Sequence, residues 1–342
     1  MRCIYTVCFT SSLFIASTAI ASTSPDYDAC LLNAVKTQNG TLTLSDIRSH
    51  CSDNIAKAAP VTITDPSQSS QSSPSLMSQR LQDERDNALN PFVITPHRMN
   101  YLLPIVMTDS INNSAYKDSQ WGGKMKNAEA EFQISFKTPL NYDDLFIHND
   151  GLFAAFTLKS YWQVYAEDIS RPFRETNYRP ELFYLAPTPW TPFEANTWIT
   201  LGIEHQSNGR TQGLSRSWNR VYTDLIVEKG NFVLSLRPWW RIPEDKKDNP
   251  ASPKGDDNPD IIDFMGHYEI NAVYKWQDYE FSFTGRQNFS TNKGYGELGM
   301  TFPLWGKLRG YTKYSTGYGE NLIDYNHKQQ RLGIGVALTD LL

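Results

Sequence analysis

A chain of 342 residues with a formal net charge of −5 carries no basic surplus to attract nucleic acid. Its mean hydropathy of −0.49 excludes a bundle of membrane helices, though not a membrane β-barrel, in which only alternate residues face lipid. Aromatic residues reach 13 %, with 18 Tyr and 9 Trp, which suits the rims of such a barrel and equally a sugar-binding β-protein.

Arg2 opens the chain and precedes an apolar run from Cys3 to Ile20. Ala19-Ile20-Ala21 then puts small residues where a signal peptidase reads, so a secretory signal over residues 1–21, cut after Ala21, is expected. A retained membrane helix fits less well, because Ser and Thr interrupt the run. No later segment offers about 18 consecutive apolar residues. Cys30 and Cys51 remain after cleavage, in a compartment that permits disulfides. A bridge between them is expected in preference to two free thiols. Within an N-terminal extension over residues 22–95, Asp28 to Val35 and Leu44 to His50 read as short helices. Ser67 to Ser73 reads as a flexible linker.

From about Ile94 the pattern changes to alternation. In the segment from Asn196 to Ser207, Ile199, Leu201 and Ile203 share one face, and Thr200, Gly202 and Glu204 the other. Phe232, Leu234 and Leu236 oppose Val233, Ser235 and Arg237. From Met265 to Trp276, Tyr268, Ile270, Ala272, Tyr274 and Trp276 oppose His267, Glu269, Asn271, Val273 and Lys275. Near the end Leu332, Ile334, Val336 and Leu338 oppose Arg331, Gly333, Gly335 and Ala337. One greasy face and one polar or small face is the period-two pattern of a barrel wall. Roughly twelve such segments follow Ile94, joined by alternately short and long connections, as periplasmic turns and external loops would be. Glu204, Arg237, Glu269, Lys275, Glu297 and Arg331 on the polar face would be very costly in a sandwich core. The reading is all-β: a twelve-stranded antiparallel transmembrane β-barrel over residues 96–342 with a small periplasmic extension.

The stretch from Glu204 to Arg220 carries the chemistry. His205 and Ser207 are two apart and so project from one strand face, continuing the row of Ile199, Leu201 and Ile203 that faces lipid. Asn219 is in phase with Val221, Leu225 and Val227, Thr223 being the polar exception. A hairpin closing near residue 212 sets Asn219 opposite His205. An imidazole there can take the Ser207 proton while the Asn219 carbonyl orients the ring. The oxyanion needs a donor, either a backbone N–H near Gly209 or a metal. A lone His in a strand is usually only a satisfied polar group. Polar groups turned to hydrocarbon are expensive, however, and point to function.

His205-Gln206-Ser207-Asn208-Gly209-Arg210, followed by Ser215-Arg216-Ser217-Trp218-Asn219-Arg220, resembles the active-site signature of the outer-membrane phospholipase A family. Three further blocks resemble the same family: Phe173 to Phe183, Asp256 to Ile261, and Gly317 to Asn326. Together they spread over about residues 95–342. The resemblance implies a twelve-stranded barrel that dimerises when active, needs calcium, and hydrolyses acyl esters of membrane glycerophospholipids in the outer membrane, toward the outer leaflet. It implies Ser207 as nucleophile, His205 as general base, Asn219 as orienting residue and the Gly209 amide in the oxyanion hole. Calcium is expected on the Arg210 carbonyl, the Ser215 hydroxyl and Ser170 of the partner subunit, with Asp257 a ligand of a second, monomer-type site; oxygen donors suit this ion. Gln212 stands where the family's second site has an Asp. Leu158 stands where the family has a buried interface Gln, so the dimer is expected either to lack that hydrogen bond and be weaker or to rely on apolar packing. Leu342 replaces the usual terminal aromatic. Two rivals are a non-catalytic channel or structural barrel, which a broken triad would mark, and a soluble secreted esterase, which the greasy outer face disfavours.

Overall fold

The computed structural model describes residues 76–339, apart from 88–93, 142, 250–251, 253 and 307. The expected signal, the Cys30–Cys51 bridge, the two short helices, the serine-rich linker and Leu342 lie outside the described residues. A helix α1 (Leu76–Asp86) comes first. Twelve strands follow: β1 (Tyr101–Thr108), β2 (Ala128–Pro139), β3 (Gly151–Trp162), β4 (Phe173–Pro187), β5 (Asn196–Ser207), β6 (Ser217–Lys229), β7 (Phe232–Ile242), β8 (Tyr268–Trp276), β9 (Tyr279–Asn288), β10 (Lys293–Trp305), β11 (Leu308–Gly317) and β12 (Gln329–Ala337). A short helix α2 (Ile261–Met265) precedes β8. Each strand pairs antiparallel with its sequence neighbours, and β1 pairs β12 from Tyr101↔Ala337 to Thr108↔Arg331, closing the barrel.

The alternation read from the sequence sets the facing. In β5, Leu201 and Ile203 are each 52 % exposed on the outer wall, while Gly202 and Glu204 between them are buried. The same outward row recurs as Ile134 and Phe136 in β2, Val221 and Leu225 in β6, Leu234 and Leu236 in β7, and Leu332 and Ile334 in β12. A continuous exposed apolar belt would be an aggregation hazard in water; it is the surface a bilayer requires. No helix among the described residues is long and apolar enough to cross a membrane. Leu158 belongs to the outward row of β3, opposite Ile134 and Tyr178.

The expected strand from Met265 starts later. Met265 ends α2, Gly266 turns the chain at φ +68, and the ladder begins at Tyr268. A non-glycine residue at that φ would be strained, so the turn was written in the glycine and not in the apolar pattern around it.

The inside of the barrel is polar and crossed by ion pairs. Arg174 in β4 is fully buried and grips Glu129 of β2 with two parallel bonds of 2.9 Å. Its third nitrogen reaches Asp324, in the loop between β11 and β12, at 2.7 Å. Arg331 bonds Glu129 at 2.8 Å and Glu131 at 3.1 Å. Glu320 accepts from Lys159 at 3.0 Å and from Ser315 at 2.7 Å. The β11–β12 loop thus folds inward, and the Leu322 amide donates to the Asn177 side chain at 3.0 Å. The Phe173–Phe183 and Gly317–Asn326 blocks, far apart in sequence, meet here.

Helix α1 closes the opposite end. Its Met77 amide donates to Glu228 at 2.7 Å, beside the β6–β7 turn. Glu84 pairs with Lys137 at 2.8 Å, and Arg85 donates to the Asp150 carbonyl at 2.9 Å in the β2–β3 connection. Met77 and Leu81, one turn apart on the helix, pack against the apolar cluster that includes Phe153, Leu185 and Trp198. Between the helix and the inturned loop lies a cavity of about 380 Å³ lined by Arg98, Arg179, Arg237 and Glu269.

Candidate active site

The site lies where β5 and β6 turn over at the end remote from α1. Their ladder pairs His205 with Asn219 and Ser207 with Ser217. His205 is exposed on the same outer face as Leu201 and Ile203, and its Nδ1 stands 2.8 Å from Asn219 Oδ1. Asn219 Nδ2 in turn donates to Glu244 Oε1 at 3.2 Å. The carboxylate can only accept, so the amide nitrogen faces it and the amide oxygen faces the ring. The ring nitrogen facing that oxygen must therefore carry the proton. Nε2 is left with its lone pair. Ser207 follows two residues on, half-buried, with no side-chain hydrogen bond to the imidazole among the described residues.

The β5–β6 turn is pinned by Asn208, which is buried. Its Oδ1 accepts from the amides of Arg210 at 3.2 Å and Arg216 at 3.0 Å, and its Nδ2 donates to the Leu214 carbonyl at 2.8 Å. Next to it Gly209 takes φ +61. A Cβ there would sit 3.3 Å from the Tyr178 ring, so both the backbone angle and the space call for glycine. Its amide therefore stands in a rigid turn just after Ser207.

Arg210 Nη2 donates to the carbonyls of Phe173 at 2.6 Å and Arg174 at 3.0 Å, and its guanidinium lies 5.3 Å from the centre of the Trp121 ring. Ser215 Oγ donates to Asp257 Oδ2 at 2.6 Å. Lys247 pairs with the other oxygen of Asp257. The Asp256–Ile261 block is fastened onto β6 and β7: Asn258 Oδ1 accepts from the Ser217 amide at 3.1 Å, and Asp256 pairs with Arg241 at 2.6 Å. Ser170 is exposed at the end of the single turn Glu167–Ile169, in a left-handed conformation at φ +59. No hydrogen bond among the described residues links Ser170 to Arg210, Ser215 or Asp257 within one chain. The Gln212 side chain lies outside the described residues. No cluster of three or more His, Cys, Asp or Glu among the described residues is arranged to hold a metal.

Structure thus brings His205 and Asn219 into contact on the outer wall, sets Ser207 and Gly209 beside them, and joins Ser215 to Asp257. The sequence reading missed Glu244. Ile242 is the β7 partner of Asn219, and Glu244 follows it by two residues. An acidic residue continuing the phase of Trp240 and Ile242 was the available signal. Glu244 titrates above the usual carboxylate range, first because it is partly buried and then because Asp256 faces it, against the pull of Arg241.

Known proteins resemble this chain over most of the barrel. The phospholipase A1 family profile matches residues 77–338. Phospholipase A1 of Escherichia coli K12 is 38 % identical over 257 residues, covering 74 % of this chain and 83 % of that protein. A solved structure of E. coli outer membrane phospholipase A, an active-site mutant with an asparagine changed to alanine, superposes with a TM-score of 0.70 at 36 % identity, covering 77 % of this chain and 98 % of that one. The Salmonella typhi outer membrane phospholipase, a dimer with bound calcium, gives 0.69 at 37 % identity over 75 % of this chain and 98 % of its own. With a closed twelve-stranded barrel and an apolar outer belt, the chain belongs to the phospholipase A1 family and is an outer-membrane phospholipase.

Proposed function

We propose that this enzyme cleaves acyl esters of glycerophospholipids with Ser207, His205 and Asn219 on the lipid-facing wall, toward the outer leaflet. The observation that carries the reading is the 2.8 Å contact between His205 Nδ1 and Asn219 Oδ1 on the apolar outer face. A polar pair placed against hydrocarbon is expensive unless it works there. The active-site asparagine of the E. coli relative supports the role of Asn219.

In this scheme a phospholipid reaches the site laterally, without leaving the bilayer. His205 Nε2 takes the proton from Ser207 Oγ as that oxygen attacks the ester carbonyl carbon. Negative charge develops on the carbonyl oxygen and is met by the Gly209 amide. The imidazolium is held by its Nδ1–H bond to Asn219. It then returns the proton to the departing lysophospholipid oxygen, and water, activated by the same imidazole, frees the fatty acid from Ser207.

Calcium is proposed on the Arg210 carbonyl, the Ser215 hydroxyl and Ser170 of the partner subunit, with Asp257 beside Ser215. The donors are all oxygens, which fits the ion, and the 2.6 Å contact from Ser215 to Asp257 brings a hydroxyl and a carboxylate together. Bound there, the cation would add Lewis-acid stabilisation to the oxyanion. Lys247, already paired with Asp257, would have to yield that carboxylate for it to serve as a ligand. Because Ser170 would come from the second subunit, a monomer would lack a complete site. The calcium-bound dimer of the S. typhi relative supports this regulation. Leu158, apolar and outward, leaves dimer contact in its neighbourhood to packing.

The test is Ser207→Ala assayed for phospholipid hydrolysis in detergent with calcium. Activity is expected to fall by at least about a thousandfold. Retained turnover would require another nucleophile and overturn the assignment.

A further inference from the structure

We propose that Glu244 is a positioning residue for the reaction, holding the Asn219 carboxamide in the one orientation that leaves His205 Nε2 free to accept the Ser207 proton. This rests on the Ser207–His205–Asn219 reading above.

A carboxamide presents an oxygen on one side and a nitrogen on the other, and the two orientations fill the same space. They are opposite in their effect on a neutral imidazole. With Oδ1 toward the ring, Nδ1 keeps the proton and Nε2 is basic. With Nδ2 toward the ring, Nδ1 must accept, the proton moves to Nε2, and the nitrogen nearest Ser207 can no longer act as a base. Asn219 alone does not choose. Glu244 Oε1 lies 3.2 Å from Nδ2, on the side away from His205. Turning the amide over would set Oδ1 against a carboxylate oxygen, with no proton between them. The carboxylate therefore selects the productive orientation, and the contacts run in series from Glu244 through Asn219 to His205.

Glu244 also carries what the neutral Asn219 lacks, a negative charge. The charged groups facing it are Asp256, Asp257 and Arg241. Asp256 is paired with Arg241 at 2.6 Å, and Asp257 with Lys247. Glu244 makes no ion pair among the described residues, so its charge is not neutralised by a contact partner. It lies where it favours the imidazolium. Its raised pKa, from partial burial and Asp256, means that this help fades at a higher pH than for an ordinary carboxylate.

Substitution tests the carboxylate. Glu244→Gln can donate its own amide nitrogen to a turned-over Asn219 and so loses the selection, as Glu244→Ala does, whereas Glu244→Asp keeps an acceptor-only carboxylate. For Glu244→Ala, kcat and the rate of inactivation by a serine-directed sulfonyl fluoride are expected to fall about three- to tenfold, with KM changed by less than about twofold. Glu244→Gln is expected to fall to within about twofold of the Ala variant in kcat, and Glu244→Asp to regain part of the parental kcat. Ser207→Ala is measured alongside. Parental kcat in Glu244→Ala or in Glu244→Gln would overturn the role of Glu244 while leaving an inactive Ser207→Ala to uphold the wider reading. An active Ser207→Ala would overturn both.

Discussion

Replacing Asn219 by alanine removes the oxygen that faces His205 Nδ1 at 2.8 Å and introduces nothing in its place. In the ground state the lost bond joins two neutral groups. In the transition state the ring is an imidazolium, and a hydrogen bond to a charged group contributes about 1.5–3 kcal/mol. At about 1.4 kcal/mol per factor of ten, kcat should fall about 10- to 150-fold. The upper half of that range is expected, because the pair opens onto acyl chains and not onto water, and a stranded Nδ1–H there has no solvent to turn to. Part of the loss should also reach Glu244, left without the Nδ2 donor it now accepts from. The assay is release of fatty acid from mixed micelles by pH-stat, at saturating lipid and calcium, with Ser207→Ala giving the floor. A variant within about twofold of the parent would show that Asn219 does not orient the ring, and the proposed triad would reduce to a pair.

Chelation, or dilution to the monomer, is expected to abolish turnover, and Ser215→Ala to raise the calcium needed for half-activity; full activity of a proven monomer in chelator would contradict the shared-ion scheme. Arg174→Ala leaves the Glu129 and Asp324 carboxylates, both fully buried, without their main partner, and should destabilise the barrel by about 3–5 kcal/mol. A lowered urea midpoint of the heat-modifiable gel shift would report it; an unchanged midpoint would count against it. In the β2–β3 connection, burial raises the Asp150 carboxyl, but the Tyr184 hydroxyl and the Leu145, Ile147 and Phe146 amides outweigh it and hold the group well below the usual range. A depressed folded value contributes stability that is present above the unfolded pKa of about 4 and lost as pH falls through the folded one. Hydrogen-exchange protection of those three amides should therefore decline in acid, and this dependence should vanish in Asp150→Asn.

The wall of the barrel was legible because facing follows directly from parity: Ile203 and Glu204 fall on opposite sides with no knowledge of any neighbour. The same parity put His205, Ser207 and Asn219 on the outside before any contact was known. What stayed hidden depended on residues distant in sequence or on irregular backbone. Arg174 and Asp324 are 150 residues apart, and nothing local in either block shows that they meet. Glu244 lies just past β7 in a long loop, and only its phase with Trp240 and Ile242 pointed to its direction. Helix α1 is mostly polar, with Met77 and Leu81 its inward contacts, so its apolar face is too narrow to announce itself. The start of β8 was misplaced because the residues of α2 are as apolar as a strand.

The inturned β11–β12 loop and helix α1 lie at the two ends of the cylinder. An enzyme that works on the outer surface of its wall does not need its bore, and here the bore is crossed by arginine–carboxylate pairs, with helix α1 at one end and the inturned loop at the other. Copies of this protein are therefore expected to add little to a membrane's leakiness to small solutes. Any loss of the permeability barrier that accompanies its activation should come from the detergent-like products it releases, and should be absent from a membrane loaded with the Ser207→Ala protein.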